Sequence, residues 1–199
     1  MPCDPSLTAQ LNVLLDTAPV SRRMFILRQV TDLFLASAAL YTDEQIELFD
    51  IVFVALSQNI EQAALIELSN RLASTSYAPP QIIKRLSCDD AIAIARPTLE
   101  NSKALANDTI AEIAKTKSHD HLLAIASRKQ IGEAVTDALI ERDIPEILRK
   151  FVANDHARIS HIGFAKLISA AKRDARLAQI AANRPDLPDE LRPFLKLAL

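Results

Sequence analysis

The sequence predicts an all-α protein, an N-terminal helical bundle that continues into a right-handed solenoid of short helical repeats. Three observations point there. Apolar residues recur at three- and four-residue steps through the early chain. Beyond it, an aliphatic residue followed by alanine returns at steps averaging about 27 residues. Strand signals are nearly missing, with no sustained alternation and no Asn-Gly or Asp-Gly turn. The chain of 199 residues holds only two glycines, Gly132 and Gly163. That shortage excludes Walker loops, dinucleotide fingerprints and nucleophile elbows, which need glycine where backbone turns sharply or approaches phosphate.

The elements follow in order. From Arg22 to Leu40, the residues Phe25, Ile26, Val30, Leu33, Phe34 and Ala38 mark one helix face. Thr42-Asp43-Glu44-Gln45 is a capping box: the Thr hydroxyl accepts from the amide three residues on, and Gln45 reaches back. The helix it opens is expected to bury Ile46, Phe49, Val52, Phe53 and Leu56. Another places Ile60, Ala64, Leu65, Leu68 and Leu72 together and frays near Ser74-Thr75-Ser76.

Past about residue 70, the small motif appears at Leu72-Ala73, Ile94-Ala95, Ile125-Ala126, Val152-Ala153 and Ile180-Ala181, in steps of 22, 31, 27 and 28. Between the recurrences stand helix starts at Ala78-Pro79-Pro80, Ile131-Gly132-Glu133, Ile144-Pro145-Glu146 and Leu187-Pro188-Asp189. Proline suits a first turn because those amides have no internal partner, and the acids complement the helix dipole. DIPEILRKFV (143–152) matches DLPDELRPFL (186–195) at five of ten positions. Two short helices fill such a repeat, and helices this short stand only by stacking on neighbours. The expected organisation is an N-terminal arm over 1–19, a bundle over 20–75, and a repeat region over 76–199 packed on it as one continuous domain.

Cys3 and Cys88 are the only thiols, which fits a reducing compartment and no disulfide framework. MPCDPS lacks the basic segment and apolar run of a secretory signal. The longest apolar stretches, 33–41 and 51–56, are too short for a membrane span. A cytoplasmic protein with no membrane partner is expected. The net charge of −2 hides an asymmetry. Residues 1–114 carry 8 Lys/Arg against 14 Asp/Glu, and residues 115–199 carry 15 against 11.

The runs ELSNRLASTSYAPPQIIKRLSCDDAIAIARPTL (67–99), HLLAIASRKQIGEAVTDALIERDIPEIL (121–148) and VANDHARIS (152–160) carry a resemblance. They resemble an alphaproteobacterial family known as domain of unknown function 2336, whose repeats look like HEAT repeats and the leucine-rich-repeat variant. The resemblance extends from about Thr42 to Phe194 and rests on packing and turn motifs. It implies HEAT-like repeats and transfers no catalytic residue.

Candidate sites are few. His119 and His121, and His156 and His161, are spaced two and five apart, unlike helical metal pairs, so no metal or other cofactor is expected. Cys88 precedes Asp89-Asp90 at an expected helix start, where the two acids oppose a thiolate and themselves suit the first turn. Asn101, Asn154 and Asn183 follow helix ends and suit caps or bonds between repeats. Among the basic residues, Arg128, Lys129, Arg158, Lys172, Arg173 and Arg176 are the candidate contacts for a polar partner or phosphate. Phe151, Phe164 and Phe194, the aromatics of the basic half, read as core.

The expected function is that of a non-enzymatic protein–protein interaction module, a scaffold or adaptor with an unidentified protein partner. The alternative is nucleic-acid binding by the basic C-terminal half. Leu35, Leu40 and Phe53 exceed what one bundle is expected to bury, which points to a homodimer through the N-terminal bundle.

Overall fold

The computed structural model describes residues 19–58 and 60–196. Among them are twelve α-helices, one 3-10 turn and no strand. The expected arm over 1–19 lies outside the described residues apart from Pro19, as does Cys3. No helix among the described residues is long and apolar enough to cross a membrane. The chain divides into two compact units, Met1–Leu105 and Ala106–Leu199.

The first unit contains α1 (Val20–Ser37), α2 (Asp43–Leu56), α3 (Gln62–Ala73), α4 (Pro80–Ser87) and α5 (Ile92–Asn101). Each helix packs on the next but one: α1 on α3, α3 on α5, α2 on α4. The change of texture near residue 75 therefore falls inside this unit, where α4 also packs on both α3 and α5. Asp32–Arg71 and Arg28–Glu67 ion pairs tie α1 to α3. The capping box forms as expected: Thr42 Oγ1 accepts from Gln45 N at 3.3 Å, and Thr42 N donates to Gln45 Oε1 at 3.0 Å.

The face of α1 corrects the sequence reading. Arg23, Leu27, Thr31, Phe34 and Ala38 turn inward, whereas Phe25 and Leu33 are 60% and 61% exposed. Two stripes of suitable period overlap on this helix, and the buried one includes Arg23 and Thr31, which an apolar count passes over. Thr31 is satisfied locally, its hydroxyl donating to Leu27 O at 2.6 Å. Phe53, expected as surplus, is fully buried against Phe34. Leu40 is 82% exposed and Leu35 half-buried.

Proline starts α4 as expected, and a side chain from α2 completes its first turn. Pro80 has no N–H, and the amides of Gln81 and Ile82 donate to the two carboxylate oxygens of Asp50, each at 2.7 Å. Asp50 is buried, and the loss of water raises its pKa despite those two bonds. A raised carboxyl pKa means the fold holds the proton more tightly than the unfolded chain does. The contribution is fully present below the ordinary value of 3.8 and lost as pH rises through the folded value. Relative to Asp50→Asn, the native chain is expected to gain stability as pH falls from about 7 to about 4. Urea denaturation at both pH values checks this, and a relative loss on acidification contradicts it.

Cys88 is a second correction. It closes the C-terminal end of α4, its amide donating to Lys84 O at 3.0 Å, and does not open a helix. Asp89 and Asp90 precede α5 instead of forming its first turn, and Asp89 Oδ1 accepts from Ala91 N at 2.9 Å.

The second unit contains α6 (Asn107–Thr116), α7 (His119–Ala126), α8 (Glu133–Glu141), α9 (Pro145–Val152), α10 (His161–Ala171), α11 (Ala175–Ala182) and α12 (Arg192–Lys196). The 3-10 turn Asp189–Leu191 leads into α12. Here α8 packs on α6 and α10, α10 on α12, and α9 on α7 and α11. The sequential pairs α6/α7, α8/α9 and α10/α11 also touch. The expected starts at Glu133, Pro145 and Asp189 are all found.

Burial sets a register different from the aliphatic–alanine motif. Leu122 and Ile125 of α7 correspond to Leu148 and Phe151 of α9 and to Ala178 and Ala181 of α11, all buried. Ile180 therefore leaves the core and is half-buried. Ile94-Ala95 lies in the first half of α5, whereas Ile125-Ala126 ends α7, so the motif changes phase between the units. The internal match is also corrected. DIPEILRKFV forms α9, the second helix of its pair, whereas DLPDELRPFL follows α11 as a 3-10 turn and α12. Phe151 and Phe164 are buried as expected, but Phe194 is 54% exposed.

Candidate functional site: a groove across three helices

The scaffold beneath the site is a set of polar connectors between successive helix pairs. In the burial register Arg128, Asn154 and Arg184 are equivalent, each two residues past the end of its helix. Asn154 Nδ2 donates to Arg128 O at 2.8 Å. Arg184, 2% exposed, donates through Nη1 to Val152 O and Asn154 O at 2.9 and 2.8 Å. Its Nη2 donates to Ala157 O at 2.7 Å, and Asp186 balances the charge at 2.8 Å. Arg142 Nη1 likewise donates to Ala114 O, Lys115 O and Lys117 O, carbonyls at the end of α6. Arg142 thus satisfies carbonyls that the end of α6 leaves open, and Arg184 satisfies the last carbonyl of α9 together with two in the turn that follows it.

Ser160, the N-cap of α10, accepts from Gly163 N at 2.9 Å and donates to Asp137 on α8 at 2.8 Å. A Cβ at Gly163 would stand 2.9 Å from Asp137 Oδ1, so glycine permits this close docking of α10 on α8. Asp143, at φ 48°, makes the left-handed turn from α8 into α9 and accepts from Arg173 Nη2 at 2.7 Å.

With α7, α9 and α11 held side by side, their outer surface carries a groove of about 490 Å³. Leu123, Ala153 and Ile180 form its apolar lining, and Arg149, Lys150 and Arg176 its cationic one. Arg149 Nη1 donates to Asp174 Oδ2 at 2.7 Å, while Asp174 Oδ1 caps α11 by accepting from Leu177 N. That guanidinium is therefore fixed and neutralised. Lys150 and Arg176 are exposed and make no ion pair among the described residues. Glu146, also at the groove, faces His119 Nε2 at 3.1 Å. A second groove, of about 380 Å³, is flanked by the matched pairs Arg149–Asp174 and Arg173–Asp143.

The six basic candidates are dispersed. Arg128 is half-buried at the connector position, and burial lowers its pKa. Arg158 is exposed and pairs with Glu133 at 3.2 Å, and Arg173 pairs with Asp143. Lys129 and Lys172 are exposed in the loops that follow α7 and α10, and Arg176 lies in the groove. Arg149 and Lys150 join Arg176 there without having been selected from sequence. The signal for them is the burial register, which aligns Leu123 with Arg149 and Ala124 with Lys150 and Ile180.

His119, His156 and His161 are exposed, whereas His121 is buried with Nδ1 2.8 Å from Ser118 Oγ. Among the described residues no group of three or more His, Cys, Asp or Glu could hold a metal ion. Asn154 bonds Arg128 O, two residues past the end of α7, and Asn183 caps the end of α11. Asn101 ends α5 and donates to Pro97 O at 3.2 Å.

Residues 94–195, just over half of the chain, match the family described as "Uncharacterised protein conserved in bacteria (DUF2336)". The chain belongs to this family. The match begins in α5 and ends in α12, so it spans every helix that builds the groove and starts later than the resemblance read from Thr42. The family's description names no catalytic activity. No curated protein and no solved structure matches the chain.

Proposed function

We propose that the chain is a non-enzymatic protein–protein interaction module, a cytoplasmic scaffold or adaptor whose second unit is a right-handed, HEAT-like α-solenoid. The next-but-one packing of α6 to α12 and the connectors Asn154 and Arg184 support the repeat reading. The groove across α7, α9 and α11 carries the functional one, because it joins exposed apolar area to cations that the fold does not neutralise.

Photo-crosslinking in the native host tests it. With Ala153 replaced by a photoreactive residue, a discrete adduct with one protein is expected. The same replacement at Lys166, outside the groove, is expected to give none. No adduct at 153, equal adducts at both positions, or an adduct with nucleic acid contradicts the reading. Self-association through α1 accompanies it, supported by the exposure of Phe25 and Leu33. Light scattering is expected to give a dimer mass for the native chain and a monomer mass for Phe25→Glu/Leu33→Glu. A native monomer refutes the pairing.

A further inference from the structure

Building on the interaction reading, we propose that the groove across α7, α9 and α11 takes an acidic amphipathic peptide segment of a protein partner, with carboxylates set on either side of apolar side chains. Three features select this chemistry. First, Lys150 and Arg176 stand on adjacent helices with no carboxylate paired to either among the described residues. The neighbouring Arg149 differs, because Asp174 holds it. Two charges are thus left for a ligand to match.

Second, Leu123, Ala153 and Ile180 lie in the same groove as these cations. A ligand that brings only charge would leave that surface wet, whereas one with apolar side chains between its acids covers it. Third, Glu146 also lines the groove. A continuous polyanion such as a nucleic-acid strand, with a charge at every step, meets Glu146 as well as the cations. A peptide can place an acid opposite each cation and an uncharged residue opposite Glu146. Helix axes pack about 10 Å apart, so three helices offer about 20 Å of track. That length suits about 13 residues of a bound helix at 1.5 Å each.

Fluorescence anisotropy with the full chain tests the assignment. The probes are a labelled peptide alternating Leu-rich and Glu-rich turns, the same peptide with Gln for Glu, the same with Lys for Glu, and a short DNA duplex. The Glu peptide is expected to bind at low salt and to weaken as salt rises. Lys150→Glu/Arg176→Glu is expected to reduce its affinity about tenfold or more. The charge-matched control Lys115→Glu/Lys166→Glu, on α6 and α10, is expected to change it less than about twofold.

Equal binding of the Gln peptide, or preference for the Lys peptide, overturns the acidic assignment while leaving the groove a protein-binding surface. Equal loss in the control variant overturns it too, because net charge and not the groove would then be read. Duplex binding that exceeds the Glu peptide and disappears in Lys150→Glu/Arg176→Glu overturns both this assignment and the interaction reading. If no probe binds, the acidic assignment falls, and the crosslink at position 153 decides the interaction reading separately.

Discussion

Replacing Arg184 by Met is expected to destabilise the second unit by about 3–5 kcal/mol. The guanidinium is almost wholly enclosed and donates to three backbone carbonyls from the preceding turn, at Val152, Asn154 and Ala157. Methionine fills much of the volume but donates nothing, so two buried acceptors, Val152 O and Ala157 O, lose their partner at about 1–3 kcal/mol each before relaxation, and the part-buried Asn154 O loses its partner at a smaller cost. Asp186 also loses its partner, although it is partly in water and adds less. Arg184→Lys is expected to recover only part of the loss, since one ammonium cannot reproduce the planar fork that spans these acceptors. Urea denaturation followed by circular dichroism measures both. A loss below about 1 kcal/mol for Arg184→Met shows that the carbonyls find water instead.

Phe53→Ala is expected to cost about 3–5 kcal/mol in the first unit. Phe53 meets Phe34 of α1 edge-on, with ring centroids 5.8 Å apart, and Phe34 meets Phe49 at 5.1 Å. Truncation removes both the buried area and the edge-to-face contact that seats α1 on α2. Measured on chain diluted until it is monomeric, Phe25→Ala removes the same side chain from an exposed position on α1 and is expected to stay within about 0.5 kcal/mol. Losses of equal size at the two positions contradict the burial pattern described for α1 and α2.

What could be read in the sequence was local chemistry. The Thr42–Gln45 capping box and the proline starts at Pro80 and Pro145 each depend on a few adjacent residues, and each stands where those residues place it. Choices made by neighbours could not be read the same way. Periodicity allows two stripes on α1, and packing selects the one through Leu27 and not the one through Phe25. Cys88 sits between two helices, and local composition assigned it to the wrong one. The aliphatic–alanine motif found the ends of α7 and α9 but hid the packing register, which moves Ile180 outward. Lys150 and Arg176 become neighbours only in that register. Arg184 reads as a surface charge until Val152, Asn154 and Ala157 are brought against it from about 30 residues away.

The repeat reading is tested most directly by native-state hydrogen exchange on the full chain and on Arg184→Met. If helices of 8 to 11 residues stand by leaning on their neighbours, the substitution loosens locally. The predicted result is faster exchange in α9 to α12 and in the Val152–Ala157 turn, with α6 and α7 keeping most of their protection. A uniform rise across every amide from 106 to 196 would show one indivisible core and contradict the account.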